Sequence, residues 1–134
     1  MNRMMRGFTL IEAMIVVAVL GIIVALGYPS YRDQVMKSRR AEGMSALLEL
    51  ADRLERYYSD KGTYVGATAA NIFRSTTEKG NYQLKIDSQD AIAFTVSASP
   101  LGGQQKDKCG KFTLTSQGVK GVPDHPSMLD ECWK

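Results

Sequence analysis

Gly7-Phe8-Thr9-Leu10-Ile11-Glu12 opens an apolar run that reaches Tyr28, with Arg3 and Arg6 just ahead of it. Glu12 is the one charged side chain between Phe8 and Tyr28. A helix over this stretch rises ~1.5 Å per residue and spans about 30 Å, the hydrocarbon thickness of a bilayer. It fits a membrane crossing, with the basic leader held on the cytoplasmic face. A secretory signal also starts with basic residues, but its apolar region is about 7–15 residues long and ends at a small-residue cleavage site. A plain single-pass anchor fits the length and leaves Glu12 unexplained. A carboxylate inside a membrane helix costs about 3 kcal/mol on insertion scales, which marks Glu12 as a functional candidate. From the residues alone an anchor with a working Glu, a plain anchor and a secretory signal all stand.

After the run come Gly27 and Pro29. Proline lacks the helical N–H and clashes with the preceding turn, so a kink or local opening is expected here. Ala18, Gly21 and Ala25 share one helical face and permit close helix–helix approach, although an Ala- and Gly-rich segment also produces such a face by chance. From Ser30 to about Ser59 the pattern turns amphipathic. Met44, Leu47, Leu48, Ala51, Leu54 and Tyr58 make an apolar stripe, and Arg39, Arg40, Glu42, Glu49, Asp52, Arg53 and Arg56 lie opposite. Glu49/Arg53 and Asp52/Arg56 are i, i+4 pairs in the favourable orientation. One nearly continuous helix from Phe8 to about Ser59 is predicted, and the Arg39/Arg40 patch is expected to be solvated.

Lys61-Gly62 ends that helix, with Gly62 as a left-handed cap. Thr63 to Gly80 is too long for a plain connection and is expected to fold over the head, with a helical turn near Ala69–Phe73. Tyr82, Leu84 and Ile86 alternate with polar residues, as do Ile92, Phe94, Val96 and Ala98. Both read as half-buried strands, with a turn at Ser88-Gln89-Asp90. Lys111 to Ser116 supplies a third, with Phe112 and Leu114 inward, and the tail from Val119 is expected to be irregular. Three short strands are marginal alone, so the amphipathic helix must cover their apolar face. The predicted fold class is α+β: a long N-terminal helix, membrane-spanning in its first half, packed on a small antiparallel sheet.

The short basic leader ending in Gly7, then Phe8-Thr9-Leu10-Ile11-Glu12 and the long apolar helix, resembles the N-terminal signature of type IV pilins and of the pseudopilins of type II secretion. The signature is specific, because the Gly, the Phe, the Glu and the apolar run must coincide. The resemblance implies that prepilin peptidase removes residues 1–7 as a leader by cutting between Gly7 and Phe8. It implies a methylated amine on Phe8, residues 8–29 as the membrane and filament-core helix, and residues 30–134 as the head (helix 30–59, loop 60–80, sheet and C-terminal region 81–134). Glu12, one helical turn from Phe8 at i+4, then pairs with that amine within one chain or with a neighbour's, since opposite charges in low dielectric are costly apart. The family favours the contact between chains, which sets axial register.

Leader removal changes the charge argument. The whole chain has 17 basic and 14 acidic side chains, net +3, and without Arg3 and Arg6 the balance is 15 against 14, net +1. Bulk charge then says little about a polyanionic partner. Cys109 and Cys132, in a head outside the cytoplasm, read as one disulfide worth roughly 3 kcal/mol by loop entropy, and their position resembles the disulfide-bounded loop of the family. Two cysteines and the lone His125 do not make a four-ligand metal set, so neither a metal nor another cofactor is expected. No nucleotide-binding or catalytic signature appears, and no enzyme is predicted.

The resemblance reaches most strongly from Gly7 to about Tyr64. The short head, the Gly118-Val119-Lys120-Gly121 turn and the terminal Cys132-Trp133 are most like minor pilins of the PilE type. The implied function is a structural subunit of a type IV pilus, contributing to biogenesis, adhesion or motility. Its implied partners are other pilins, the prepilin peptidase and an inner-membrane assembly platform. Its implied location is the bacterial inner membrane, then the extracellular pilus. Two alternatives stay open. One is a type II pseudopilin, disfavoured by the cysteine pair and by the lack of an acidic calcium loop. The other is a DNA receptor, with Lys106, Lys108, Lys111 and Lys120 facing phosphates, against which Asp107, Asp124, Asp130 and Glu131 argue for a mixed solvated surface.

Overall fold

The computed structural model describes residues 6–133, so Arg3 and the leader before Arg6 lie outside the described residues. The chain forms two compact units, one ending at Val35 and one beginning at Met36. Helix α1 runs from Leu10 to Lys61 and belongs to both.

In the first unit the helix starts at Leu10, two residues later than the apolar pattern predicts. Thr9 and Glu12 explain the start, because their side chains bond each other's backbone N–H across the first turn. An 18-residue window of α1 has a mean hydropathy of 2.7 and none of it is buried. The helix is assigned without a break through Gly27 and Pro29, so the expected opening there is absent. Pro29 forfeits the bond its N–H would give to the carbonyl four residues back, and the turns on either side keep theirs.

In the second unit α1 buries Met36, Arg40, Gly43, Met44, Leu47, Leu50 and Leu54. That set follows the 3.6-residue period but is rotated from the predicted stripe. Leu50 is fully buried, whereas Leu48 is 49% exposed and Tyr58 37%. The helix ends at Lys61, and Gly62, at φ 72°, donates its N–H to the Tyr58 carbonyl at 2.7 Å. A left-handed glycine cap of this kind satisfies a carbonyl that the helix end orphans. Within the following loop, Thr68 and Asn71 form a capping box on the short helix α2, Ala69–Ile72.

The sheet is a four-stranded antiparallel meander: β1 Tyr82–Gln89, β2 Phe94–Pro100, β3 Phe112–Thr115 and β4 Lys120–Gly121, in the order β1-β2-β3-β4. The fourth strand lies in the tail that was expected to be irregular. A bulge between Ile86 and Ser88 carries β1 on to Gln89, past the turn predicted at residues 88–90. The turn instead uses Asp90, whose Oδ1 accepts the N–H groups of Ile92 and Ala93 at 2.8 Å each. Ile92 consequently sits exposed in the turn and not on the inward face of β2. Tyr82, Leu84, Phe94, Val96, Ala98, Phe112 and Leu114 share one core with Leu47, Leu50 and Leu54. Each fully buried aliphatic or aromatic side chain contributes about 1.5–3 kcal/mol, and that burial holds helix and sheet together. A short helix α3, Leu129–Cys132, closes the chain.

Candidate functional site

Two regions carry the candidate residues, the N-terminal segment and the head. At the N-terminus, Arg6 to Thr9 precede the helix and the Gly7–Phe8 peptide is not helical. Thr9 N–H donates to Glu12 Oε2 at 3.1 Å and Thr9 Oγ1 donates to the same oxygen at 3.3 Å, while Glu12 N–H donates to Thr9 Oγ1 at 3.2 Å. In the uncleaved chain Phe8 lies just before the helix that carries Glu12. Arg6, Gly7, Phe8, Thr9 and Glu12 together line one shallow cleft. Thr9 was missed as a site residue, although Thr9-x-x-Glu12 before an apolar run is a legible capping-box pattern.

In the head, Arg40 is not solvated. Its Nε lies 2.8 Å from Asp107 Oδ2, with the two side chains 10% and 2% exposed. The buried amide of Gln104 donates to the Met36 carbonyl at 3.1 Å and to the Tyr82 hydroxyl at 2.9 Å, so the 3₁₀ turn Gly102–Lys106 is tied to the helix. Burial, joined by the Asp107 and Glu42 carboxylates and opposed by the Gln104 hydrogen bond and Arg40, pushes the Tyr82 phenol up to about 12. Burial and the Glu55 carboxylate, which accepts the Tyr64 hydroxyl, likewise hold the Tyr64 phenol above its ordinary value.

Cys109 and Cys132 are bonded, Cα to Cα 5.8 Å, and both are buried. The disulfide ties α3 to the segment before β3, and the adjoining Trp133 donates to the Gly121 carbonyl at 2.9 Å and meets Phe112 edge-on. Of the four lysines suspected of DNA contact, three have partners within the head. Lys108 pairs with Glu131, Lys111 Nζ lies 3.3 Å from Asp87, and Lys120 Nζ sits 5.2 Å over the Trp133 ring. Lys106 is exposed. No group of three or more metal-ligating side chains occurs among the described residues.

A helix packed on a small antiparallel sheet, preceded in the chain by an unburied apolar helical segment, fits the class of a filament subunit. The comparisons with known proteins specify it. The family model described as "Type IV minor pilin ComP, DNA uptake sequence receptor" matches residues 29–113, and the "Prokaryotic N-terminal methylation motif" matches residues 2–28. The type IV major fimbrial protein FimA of Dichelobacter nodosus is 34% identical over 134 residues, covering 98% of this chain and 83% of that protein. The fimbrial protein EcpC of Eikenella corrodens is 39% identical, covering 98% and 84%. The crystal structure of the Neisseria meningitidis non-core minor pilin PilV matches with a TM-score of 0.56 at 21% identity, covering 66% of this chain and 87% of that one, a likeness of fold. The chain belongs to the type IV pilin family. It is a type IV pilus subunit that assembles with other pilins, membrane-anchored as a precursor and extracellular in the pilus.

Proposed function

We propose that this chain is a minor subunit of the pilus, acting by assembly and not by catalysis. Prepilin peptidase cuts between Gly7 and Phe8, the new amine on Phe8 is methylated, and an inner-membrane platform lifts the subunit into the filament. Glu12 meets a Phe8 amine in the bundle of apolar helices, which sets the register. The observation that carries the assembly reading is the exposed apolar segment, and the minor role is supported by the match to a minor-pilin family model over residues 29–113. From Phe8 to Tyr28 every residue is exposed in the single chain, and apart from Glu12 none is charged, so this is a surface that lipid covers before assembly and neighbouring helices cover afterwards. Peptide counting in sheared pili tests the minor role. This chain is expected at a small fraction of the principal subunit, and parity with it would overturn that role.

A second reading rests on one observation, that the model matching residues 29–113 is described as that of a DNA uptake sequence receptor. In this reading the head binds duplex DNA, with Lys106 and its neighbours Lys108, Lys111 and Lys120 contacting phosphates. Three of the four already have partners, so their contribution to affinity is small and strongly salt-dependent. Binding that steepens as salt is lowered, and weakens when the four become Ala, supports it. Binding unchanged by those substitutions removes these lysines from the reading, and no binding at low salt removes DNA.

A further inference from the structure

We propose that the end of the second unit at which α1 enters is a docking surface for anionic phospholipid headgroups, formed by Lys37, Arg39 and Lys106. The chain is membrane-anchored as a precursor, and this surface holds its head on the bilayer before assembly. Its role depends neither on leader removal nor on the subunit's place in the filament.

Lys37 and Arg39 stand at the start of the second unit, and Lys106 closes the 3₁₀ turn Gly102–Lys106, far off in sequence. Buried contacts join the two segments. The Gln104 amide donates to the Met36 carbonyl at 3.1 Å, and Arg40 Nε lies 2.8 Å from Asp107 Oδ2. Met36, Arg40 and Asp107 are the chain neighbours of Lys37, Arg39 and Lys106, so these bonds bring the three cations to one end of the head. At about 100° of helical turn per residue, Lys37 and Arg39 fall on either side of the buried Met36–Arg40 stripe. A Cβ built on Gly103 would lie 3.8 Å from Arg39 Nη1, which sets the guanidinium beside the turn that carries Lys106. Lys37 and Lys106 are exposed and Arg39 is half-buried. None of the three makes an ion pair or side-chain hydrogen bond among the described residues. The nearby carboxylates are engaged elsewhere. Asp107 neutralises Arg40, and Glu42 turns its two oxygens to the Lys79 N–H and the Asn81 amide at 3.1 Å each. This end is left with a net positive charge.

The occupant of matching charge is tethered to it. Only Pro29 to Val35 separates the apolar stretch, which lies in the bilayer, from Met36. Tyr28 and Tyr31 are both exposed, and tyrosine is a residue that settles at headgroup level. Arg32 and Asp33 in the same stretch balance each other. Docking is therefore intramolecular, and contacts too weak to capture a free partner suffice. Each Lys or Arg brought to an anionic membrane surface raises the docked-to-free ratio roughly fivefold, and a zwitterionic surface gives no such gain. Among the four lysines considered for DNA, Lys106 is the one that has no partner in the head, and it is the one that lies with Lys37 and Arg39.

The test places the full, isotope-labelled chain in nanodiscs of phosphatidylcholine, with or without phosphatidylglycerol, doped with a gadolinium-chelate lipid. Broadening of the Gln105 and Lys106 amides, set against that of Ile92 at the opposite end of β2, reads the docked fraction. It is expected to be strong with phosphatidylglycerol, weak without it, and abolished by molar salt. Lys37→Gln, Arg39→Gln and Lys106→Gln should each lower the docked-to-free ratio roughly fivefold, and the triple variant about a hundredfold. The charge-keeping set Lys37→Arg, Arg39→Lys and Lys106→Arg should dock like the native chain, which separates charge from packing. The Ile92 amide shift should stay in place throughout and so report an intact head. Equal broadening in the two kinds of disc, broadening that survives in the triple Gln variant, or loss of docking in the charge-keeping set would each overturn the proposal. A triple Gln variant that loses duplex DNA binding and still docks on phosphatidylglycerol would assign the patch to nucleic acid instead.

Discussion

Removing one partner of the Arg40–Asp107 pair should destabilise the head more than removing both. The pair spans 67 residues of sequence and joins α1 to the segment leading into the disulfide, with Nε to Oδ2 at 2.8 Å. Its side chains are 10% and 2% exposed, so a charge left alone there has almost no water to return to. Breaking a buried pair from one side typically costs about 3–5 kcal/mol, whereas replacing both members with apolar residues of similar volume is often near neutral. Asp107→Leu and Arg40→Met should therefore each cost about 3 kcal/mol or more, a large share of a marginal fold. The double variant should lose less than either single one, a coupling of several kcal/mol. Trp133 is the one tryptophan of the chain and packs on Phe112, so its fluorescence reports unfolding of this region in urea. The measurement is made on the whole chain in detergent. Single variants within about 1 kcal/mol of the native chain, or a double variant equal to the sum of the singles, would refute the reasoning.

Four other outcomes follow from the same core. An added Cβ at Gly43 would lie 2.8 Å from one carbon of the Tyr82 ring and 3.0 Å from two more, and that ring is fully buried. Overpacking of about 1–3 kcal/mol outweighs the roughly 1 kcal/mol of helix propensity gained, so Gly43→Ala should lower the urea midpoint despite being a better helix former. Replacing Cys109 and Cys132 with Ser should cost roughly 3 kcal/mol. Because both sulfurs are buried, dithiothreitol should reduce the native bond only as fast as the head opens, which timed alkylation reports. The Tyr82 phenol, raised from 10.0 to about 12, favours the folded state while it is protonated. That contribution is complete below pH 10 and is lost as pH rises through about 12, a loss of roughly 2–3 kcal/mol. Stability measured at rising alkaline pH should fall more steeply in the native chain than in Tyr82→Phe.

What the sequence made legible was local or periodic. The long helix, the Gly62 cap, the helical turn at Ala69 and the alternation of Tyr82/Leu84, Phe94/Val96/Ala98 and Phe112/Leu114 all declare themselves within a few residues. The resemblance at Gly7 to Glu12 then supplied the family, which composition alone could not. The features that escaped depend on distant partners. Arg40 follows Arg39 in a polar run and looks solvated until Asp107 comes within reach. Gln104 stands in a Gly- and Gln-rich turn and shows no sign of its bonds to Met36 and Tyr82. Strand β4 has only two residues and exists because β3 offers it an edge. The start of α1 was missed for another reason: hydropathy extends to Phe8, but hydrogen bonding stops the helix at Leu10.

The most direct measurement is the intact mass and N-terminal peptide of the protein from its native membrane and sheared pili, taken without reduction. The expected species begins at N-methyl-Phe8 and is lighter by two hydrogens for the Cys109–Cys132 bond. A chain still carrying Met1 as its stable form, or one cut after the apolar run near Tyr28, would contradict a subunit built into the filament through its retained helix.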